Sequence, residues 1–254
     1  MRVAIITVAG ISSRFNEGIP ENEKILKAIY TETEAQDTLL YNLLKKCSFA
    51  DQIVVVGGYK FEELYSYYLE NLSEDFGNVV FVKNEHYADL SSGYSLYLGI
   101  KEAVRLNADE VLFVEGDLDI DGESFDKVVR SEKDVLTYNH ESIYADKAVV
   151  LYKDDKEQYQ YAFNSNHGML TINVPFSCML NSGQLWKFKD VDALSEANEK
   201  FYNENMAGTN LVIIQYYIDR RGSDKFDLIG LNRWTNCNTR QDYRYICTYW
   251  EEER

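Results

Sequence analysis

The first 131 residues alternate between short apolar runs and amphipathic helical patterns. The strand candidates are 2–8, 52–57, 78–83 and 109–115, and the helical patterns are 36–47, 60–71, 91–106 and 122–131. Short buried strands that each precede a helix are typical of a largely parallel sheet with helices on both faces. We therefore predict an α/β fold with a mostly parallel central sheet.

The pattern changes after residue 131. Strand-like runs occur at 134–139, 144–152, 158–163, 168–174 and 226–236, and helical patterns occur at 190–205, at 209–220 and from about Thr239 onward. Consecutive strands without intervening helices predict a more antiparallel portion. No Pro-rich linker separates the two portions, since the chain has only two prolines, so we expect one domain over 1–254.

Composition excludes several classes of function. The formal net charge is −16, which opposes nonspecific binding to nucleic acid or to an anionic membrane surface. No apolar run approaches ~18 residues, and the first one ends too early for a signal peptide, so we expect a cytoplasmic protein. The four cysteines form no Cys-x-x-Cys pair, and we predict reduced structural thiols.

The first strand candidate runs into a loop of small residues that carries cationic side chains nearby. Residues 3–8 are apolar, Arg14 follows within the loop, and Lys24 follows ten residues later. Backbone amides of small residues can approach an anion closely, and Arg and Lys add charged donors. We predict that this loop holds a triphosphate. The candidate residues are Val8, Ala9, Gly10, Ile11, Ser12 and Ser13.

Other polar residues follow the remaining strand candidates. The carboxyl ends of parallel strands meet at one edge of the sheet, so the 9–15 loop, Gly58, Asn84 and Asp117 are expected to converge on one crevice. A strand-end carboxylate suits Mg²⁺, which usually keeps water and bridges substrate phosphates. Asp117 is our metal candidate; a solvated turn is the alternative for it.

These segments resemble the α/β (GT-A-like) nucleotidyltransferases, and among them the cytidylyltransferases that activate phosphocholine or a phosphonate. The loop is similar to the family's Ala-Ala-Gly-x-Gly-Ser/Thr-Arg motif, with Ser12 in place of the second glycine and Asn22-Glu23 where the family usually has Pro before the lysine, here Lys24. The resemblance continues through Asn84 to Leu98, Gly116-Asp117 and the segment 234–243. In that last segment Asn236 and Asn238 stand where the family has acidic metal ligands.

The resemblance implies a transfer of CMP from CTP to a small phosphate or phosphonate acceptor, with Mg²⁺ as cofactor and pyrophosphate as product. Arg14 would hold the β- and γ-phosphates, Lys24 would bridge the α-phosphate and the acceptor, and Asp117 would bind Mg²⁺. The first portion, 1–131, would bind the nucleotide, and 132–254 would bind the acceptor. Further candidates are Gly58, Asn84, Ser92 and Ser95 for the nucleotide, Asn238 for the metal, and Asn181, Tyr159 and Trp186 for the acceptor, with Tyr144 and Tyr161 as additional aromatic residues.

Several alternatives remain open at this stage. Asp117-Leu118-Asp119 has the Asp-x-Asp form of a nucleotide-sugar-dependent glycosyltransferase, and a sugar-1-phosphate nucleotidyltransferase or a non-catalytic nucleotide-binding relative would also account for the loop. Asn238, Ser92 and Ser95 are equally interpretable as helix caps, and most aromatic residues as core. A homodimer also remains open.

Overall fold

The computed structural model describes residues 1–144, 148–163 and 168–252. Its strands are β1 (Arg2–Val8), β2 (Gln52–Gly57), β3 (Val79–Lys83), β4 (Glu110–Glu115), β5 (Leu118–Ile120), β6 (Asp134–Asn139), β7 (Val150–Asp154), β8 (Tyr159–Ala162), β9 (Phe176–Ser182), β10 (Leu185–Phe188), β11 (Phe226–Gly230) and β12 (Trp234–Asn236). Its α-helices are α1 (Leu39–Lys46), α2 (Phe61–Asn71), α3 (Ser92–Arg105), α4 (Gly122–Arg130), α5 (Val191–Asn205), α6 (Asn210–Arg221) and α7 (Arg240–Glu252).

Ten strands form one mixed sheet in the order β3-β2-β1-β4-β10-β6-β9-β7-β8, with β11 on the other side of β6. The strands β3, β2, β1 and β4 pair in parallel. β10 pairs antiparallel with β4 and β6, and β7 pairs antiparallel with β8 and β9. The α/β prediction, with a parallel first part and an antiparallel second part, is confirmed.

The alternation of side chains along the strands builds a core on each face of the sheet. On β1, Val3 and Ile5 pack toward α3, α5 and α6, whereas Ala4 and Ile6 pack toward α1, α2 and α4. This follows from the period of two in a strand, because both faces of a central parallel strand are covered by helices. A third apolar cluster joins α7 to the loop after β1 through Phe15.

The second half departs from the sequence prediction in its details. The run 168–174 forms no strand; β9 begins after it, at Phe176. Strand 144–152 is shorter than expected, since β7 begins at Val150 and 145–147 lie outside the described residues. The run 226–236 divides into β11 and β12, which belong to different sheets. β5 and β10 were missed because runs of three or four residues are too short to show a period.

None of the helices in the described ranges is long and apolar enough to cross a membrane.

Candidate functional site

A cavity of about 230 Å³ opens at the carboxyl ends of β1 and β4. The loop after β1 forms one wall, the segment around Lys27 forms the second, and the start of α3 forms the third. Its lining residues are Thr7, Val8, Ala9, Gly10, Ser12, Leu26, Lys27, Ala28, Asn84, Tyr87, Leu90, Ser91, Ser92, Ser95, Glu115, Gly116 and Asp117. The predicted crevice therefore contains residues from all the segments expected there except Gly58.

The loop after β1 is held to the segment that precedes Lys27. Asn16 is only 2% exposed, and its side-chain amide donates to the backbone oxygens of Ser12 (3.1 Å) and Ile25 (2.8 Å) while its oxygen accepts from the backbone N–H of Ile25 (3.2 Å). Ser12 adopts the left-handed conformation, with φ of 56°, that a glycine would adopt there without strain. Its hydroxyl oxygen accepts from the backbone N–H of Lys27 at 3.3 Å.

Lys27 is the lysine that enters the cavity. Its Nζ lies 3.1 Å from Oδ2 of Asp117, and its side chain is 15% exposed. Lys24, the sequence candidate, instead forms an ion pair with Glu21 and faces a neighbouring cavity beyond Ser13 and Ile11. The structure places Lys27 and not Lys24 in the first cavity, because the short helical turn at 27–29 directs Lys27 toward β4.

Asp117 lies at the edge of the cavity because Gly116 lets the chain pass close to β1. A Cβ on Gly116 would lie 2.3 Å from a Val8 methyl and 2.6 Å from the Thr7 carbonyl oxygen, so only glycine fits. Oδ1 of Asp117 is buried and has no hydrogen-bond partner among the described residues. A buried carboxylate oxygen without a donor fits a hard cation.

Glu115 is a buried carboxyl group behind Asp117. Burial, and then the nearby charge of Asp117, raise the pKa of Glu115 to about 8, against a hydrogen bond from the Asn210 side chain at 2.6 Å. Within the described ranges no group of three or more His, Cys, Asp or Glu side chains could hold a metal ion.

Asp119 does not share the site with Asp117. It is 1% exposed and accepts from Lys46 (2.9 Å), from the Trp250 indole N–H (2.9 Å) and from Arg233. Its oxygens are therefore committed to a buried ion-pair network that joins α1 and α7. Because Asp119 is enclosed in this network, Asp117 and Asp119 do not face one cavity as the Asp-x-Asp pair of a glycosyltransferase would.

The polar residues near α3 line the cavity and also hold its wall together. The Asn84 side-chain N–H donates to the Ser95 hydroxyl at 2.9 Å, and the Asn84 oxygen accepts from the His86 N–H. The Ser92 hydroxyl donates to the Asn210 side-chain oxygen at 3.2 Å. Gly58 is not among the lining residues but packs against one of them, since a Cβ there would lie 2.5 Å from the Tyr87 Cβ.

A second cavity of about 410 Å³ lies on the other side of the loop after β1, toward β6, β9 and β12. Arg14 faces this cavity and not the first one. Asn181 and Asn238 also line it, and the segment of Asn238 borders Asp117, since the backbone N–H of Cys237 donates to the Asp117 carbonyl oxygen at 2.7 Å. The lining residues are Arg14, Glu141, Ser142, Tyr144, Ala148, Val149, Asn181, Gln184, Trp234, Thr235, Asn236, Asn238, Asp242 and Tyr245.

Asn238 is not the N-cap of α7. Thr239 is the N-cap of α7, since its hydroxyl oxygen accepts from the Asp242 N–H at 3.1 Å. Oδ2 of Asp242 in turn accepts from the backbone N–H groups of Thr239 (2.7 Å) and Asn238 (2.9 Å), which completes a capping box.

Two aromatic acceptor candidates lie away from both of these cavities. Trp186 is 0% exposed, stacks on Phe113 and donates its indole N–H to the Tyr161 hydroxyl at 2.7 Å. Tyr159 is buried and faces a separate cavity beside β7 and β9. Trp186 is therefore enclosed in the core and not open to an acceptor, whereas Tyr159, on the edge strand β8, faces a cavity separate from the first two. Of the aromatic candidates, Tyr144 lines the second cavity.

Sequence reasoning ranked Lys27 second to Lys24, expected Glu115 at the crevice together with Gly116 and Asp117, and missed Gln184. For Lys27 a signal was present, since it lies between apolar Leu26 and Ala28-Ile29, whereas Lys24 follows two glutamates at Glu21 and Glu23. Apolar neighbours indicate a segment that packs against the core. For Gln184 the sequence carries no comparable signal.

Comparison with solved structures shows that the fold is that of the nucleotidyltransferases. A CTP:phosphocholine cytidylyltransferase from Streptococcus pneumoniae aligns with a TM-score of 0.58 and 17% identity over 97% of this chain and 98% of that chain. The inositol-1-phosphate CTP transferase from T. maritima aligns with a TM-score of 0.66 and 13% identity over 97% and 95%. A UDP-glucose pyrophosphorylase solved with UDP-glucose aligns with a TM-score of 0.67 and 10% identity over 100% of both chains.

The chain belongs to a family described as a domain of unknown function (DUF6564), whose model matches residues 23–250. No curated protein matches the sequence significantly.

Proposed function

We propose that the chain is a nucleotidyltransferase that transfers CMP from CTP to a small phosphate or phosphonate acceptor and releases pyrophosphate. The observation that carries this proposal is the pair formed by Lys27 and Asp117, 3.1 Å apart at the carboxyl ends of the parallel strands, beside a loop of small residues. A cation, a carboxylate and backbone amides at one cavity are the groups that a metal-bound triphosphate requires.

In the proposed reaction an acceptor oxygen attacks the α-phosphorus in line, and the bond from that phosphorus to the pyrophosphate oxygen breaks. No protein nucleophile is needed, because alignment and charge neutralisation lower the barrier. The amides of residues 9–13 would bind phosphate oxygens. Lys27 Nζ would neutralise the charge that develops on the α-phosphate, and Arg14, which faces the second cavity, would bind the acceptor's phosphate.

Asp117 would hold Mg²⁺ through Oδ1, which lacks a partner among the described residues, and the ion would neutralise and orient the triphosphate. Lys27 would remain paired with Oδ2 of Asp117, so that Mg²⁺ and the Lys27 ammonium group would contact different oxygens of the same carboxylate.

The proposed preference for cytosine rests on the wall formed by α3. The Ser95 hydroxyl accepts from Asn84, so its own proton is free to donate to a base. Cytosine presents O2 and N3 as acceptors, and of these only N3 distinguishes it from uracil, whose N3 carries a hydrogen, so the proposed preference requires the hydroxyl to donate to N3.

The experiment is a thermal-shift series with four NTPs and Mg²⁺, followed by pyrophosphate release with candidate acceptors. A ligand at a concentration 100 times its Kd stabilises a protein by about 2.7 kcal/mol, so CTP should raise the unfolding temperature more than ATP, GTP or UTP. Equal shifts from all four would remove the cytidine preference. The absence of a shift with every NTP would remove the nucleotide site.

A sugar 1-phosphate is the second candidate acceptor. It is favoured by the amide-rich lining of the second cavity, where Asn181, Gln184, Asn236 and Asn238 could bind hydroxyl groups. The same pyrophosphate assay with sugar 1-phosphates distinguishes it.

A further inference from the structure

We infer that the second cavity binds the cationic end of the acceptor, and that this end is a primary ammonium group and not a quaternary one. The inference rests on the proposed function, which it deepens by naming the acceptor's chemical class.

Two buried amide oxygens in this cavity require a hydrogen-bond donor. Gln184 is only 8% exposed, and its Oε1 has no hydrogen-bond partner in the part of the chain that the structure describes. Oδ1 of Asn236, in the same lining, is likewise buried without a donor there. Because buried polar atoms are normally paired, a ligand with N–H or O–H groups completes this cavity.

The charge of the described lining favours a cation. Glu141 and Asp242 contribute two negative charges, against one positive charge from Arg14. Arg14 belongs to the loop that also lines the first cavity, so it lies on the side from which the acceptor's phosphate must approach the nucleotide. The acceptor's phosphate would meet Arg14, and its other end would extend toward the carboxylates and the amide oxygens.

Aromatic side chains complete the lining without distinguishing between types of cation. Tyr144, Trp234 and Tyr245 border the cavity, and the Trp234 indole N–H donates to the Gly183 carbonyl oxygen at 2.8 Å, which holds its ring in place. An aromatic face attracts a primary ammonium and a trimethylammonium alike. The choice between them comes from Gln184 and Asn236, because a trimethylammonium group has no N–H to donate to their oxygens.

The test measures CTP-dependent pyrophosphate release with four acceptors: 2-aminoethylphosphonate, propylphosphonate, phosphocholine and glucose 1-phosphate. Propylphosphonate replaces the ammonium group with a methyl group of similar size. Hydrogen bonds to charged groups are the stronger class, so kcat/KM for 2-aminoethylphosphonate should exceed that for each of the others by at least about tenfold. An equal or higher value for any of the other three would overturn the inference.

Variants then separate recognition of the ammonium group from general damage. Gln184→Leu removes the buried oxygen, and Glu141→Gln removes an exposed charge without a packing change. Each should raise KM for 2-aminoethylphosphonate by about fivefold or more, with KM for CTP unchanged. Glu132→Gln is the matched control, since Glu132 precedes β6 and Glu141 follows it, at opposite ends of the same strand. An unchanged acceptor KM in Glu141→Gln would count against the inference even if Gln184→Leu failed to fold.

Failure of this inference differs from failure of the proposed function. If CTP raises the unfolding temperature but the ammonium acceptor has no advantage, only the inference is lost. If no NTP binds and no acceptor reacts, both are lost.

Discussion

Replacement of Lys27 with alanine should abolish most of the turnover while leaving the fold intact. Lys27 is 15% exposed, and its Nζ lies 3.1 Å from Asp117, so its charge acts in a site that is partly shielded from water. At about 4 Å and an effective dielectric constant near 20, two unit charges interact by about 4 kcal/mol. Loss of one positioned electrostatic group typically costs ~2.7–4 kcal/mol in the transition state, which corresponds to a ~100- to ~1,000-fold lower kcat.

The assay is steady-state pyrophosphate release, with circular dichroism and thermal unfolding to establish that the variant is folded. Lys24→Ala is the contrasting variant, because Lys24 pairs with Glu21 outside the first cavity; its kcat should fall by less than about tenfold, since exposed ion pairs contribute little. A larger loss of kcat in Lys24→Ala than in Lys27→Ala would refute the assignment of roles to the two lysines.

Three further results are expected. Asp117→Asn should raise the Mg²⁺ concentration needed for half-maximal activity, because the carboxylate proposed to hold the ion loses its charge; an unchanged requirement would remove Asp117 as the ligand. A thiol reagent should modify exposed Cys178 rapidly and Cys47 only on unfolding, because burial raises the pKa of Cys47 to about 12; rapid loss of two or more thiols in Cys178→Ser would contradict this. Gly116→Ala should lower the unfolding free energy by about 1–3 kcal/mol or more through overpacking against β1, and an unchanged denaturant midpoint would show that the backbone shifts freely there.

The placement of the first cavity was predictable from the sequence because it depends on strand direction alone. Once β1 and β4 are parallel, the loop after β1 and the carboxylate after β4 must emerge at the same edge. The small residues of the loop and the glycine at Gly116 are also local properties. They predict close backbone approach without any knowledge of the rest of the chain.

The direction of individual side chains was not predictable. Tryptophan is a residue type that often binds ligands, but Trp186 lies on β10, between β4 and β6 at the centre of the sheet, so its indole is enclosed. The run 168–174 has the residue types of a strand, but it pairs with no other strand in the described chain, and β-propensity alone does not decide pairing.

The sequence by itself determined the alternation of strands and helices, the small-residue loop and the end of the sheet at which polar groups converge. Each of these features depends on residues that are close together in the sequence. Only the tertiary structure decided which lysine pairs with Asp117, and that Asp119 is enclosed in a separate ion-pair network. Those outcomes depend on contacts between distant segments: Asn16 with Ile25, Asp119 with Trp250, and the pairing of β5 with β12. A sequence pattern does not encode such contacts, because they stabilise the protein only once the distant segments pack together.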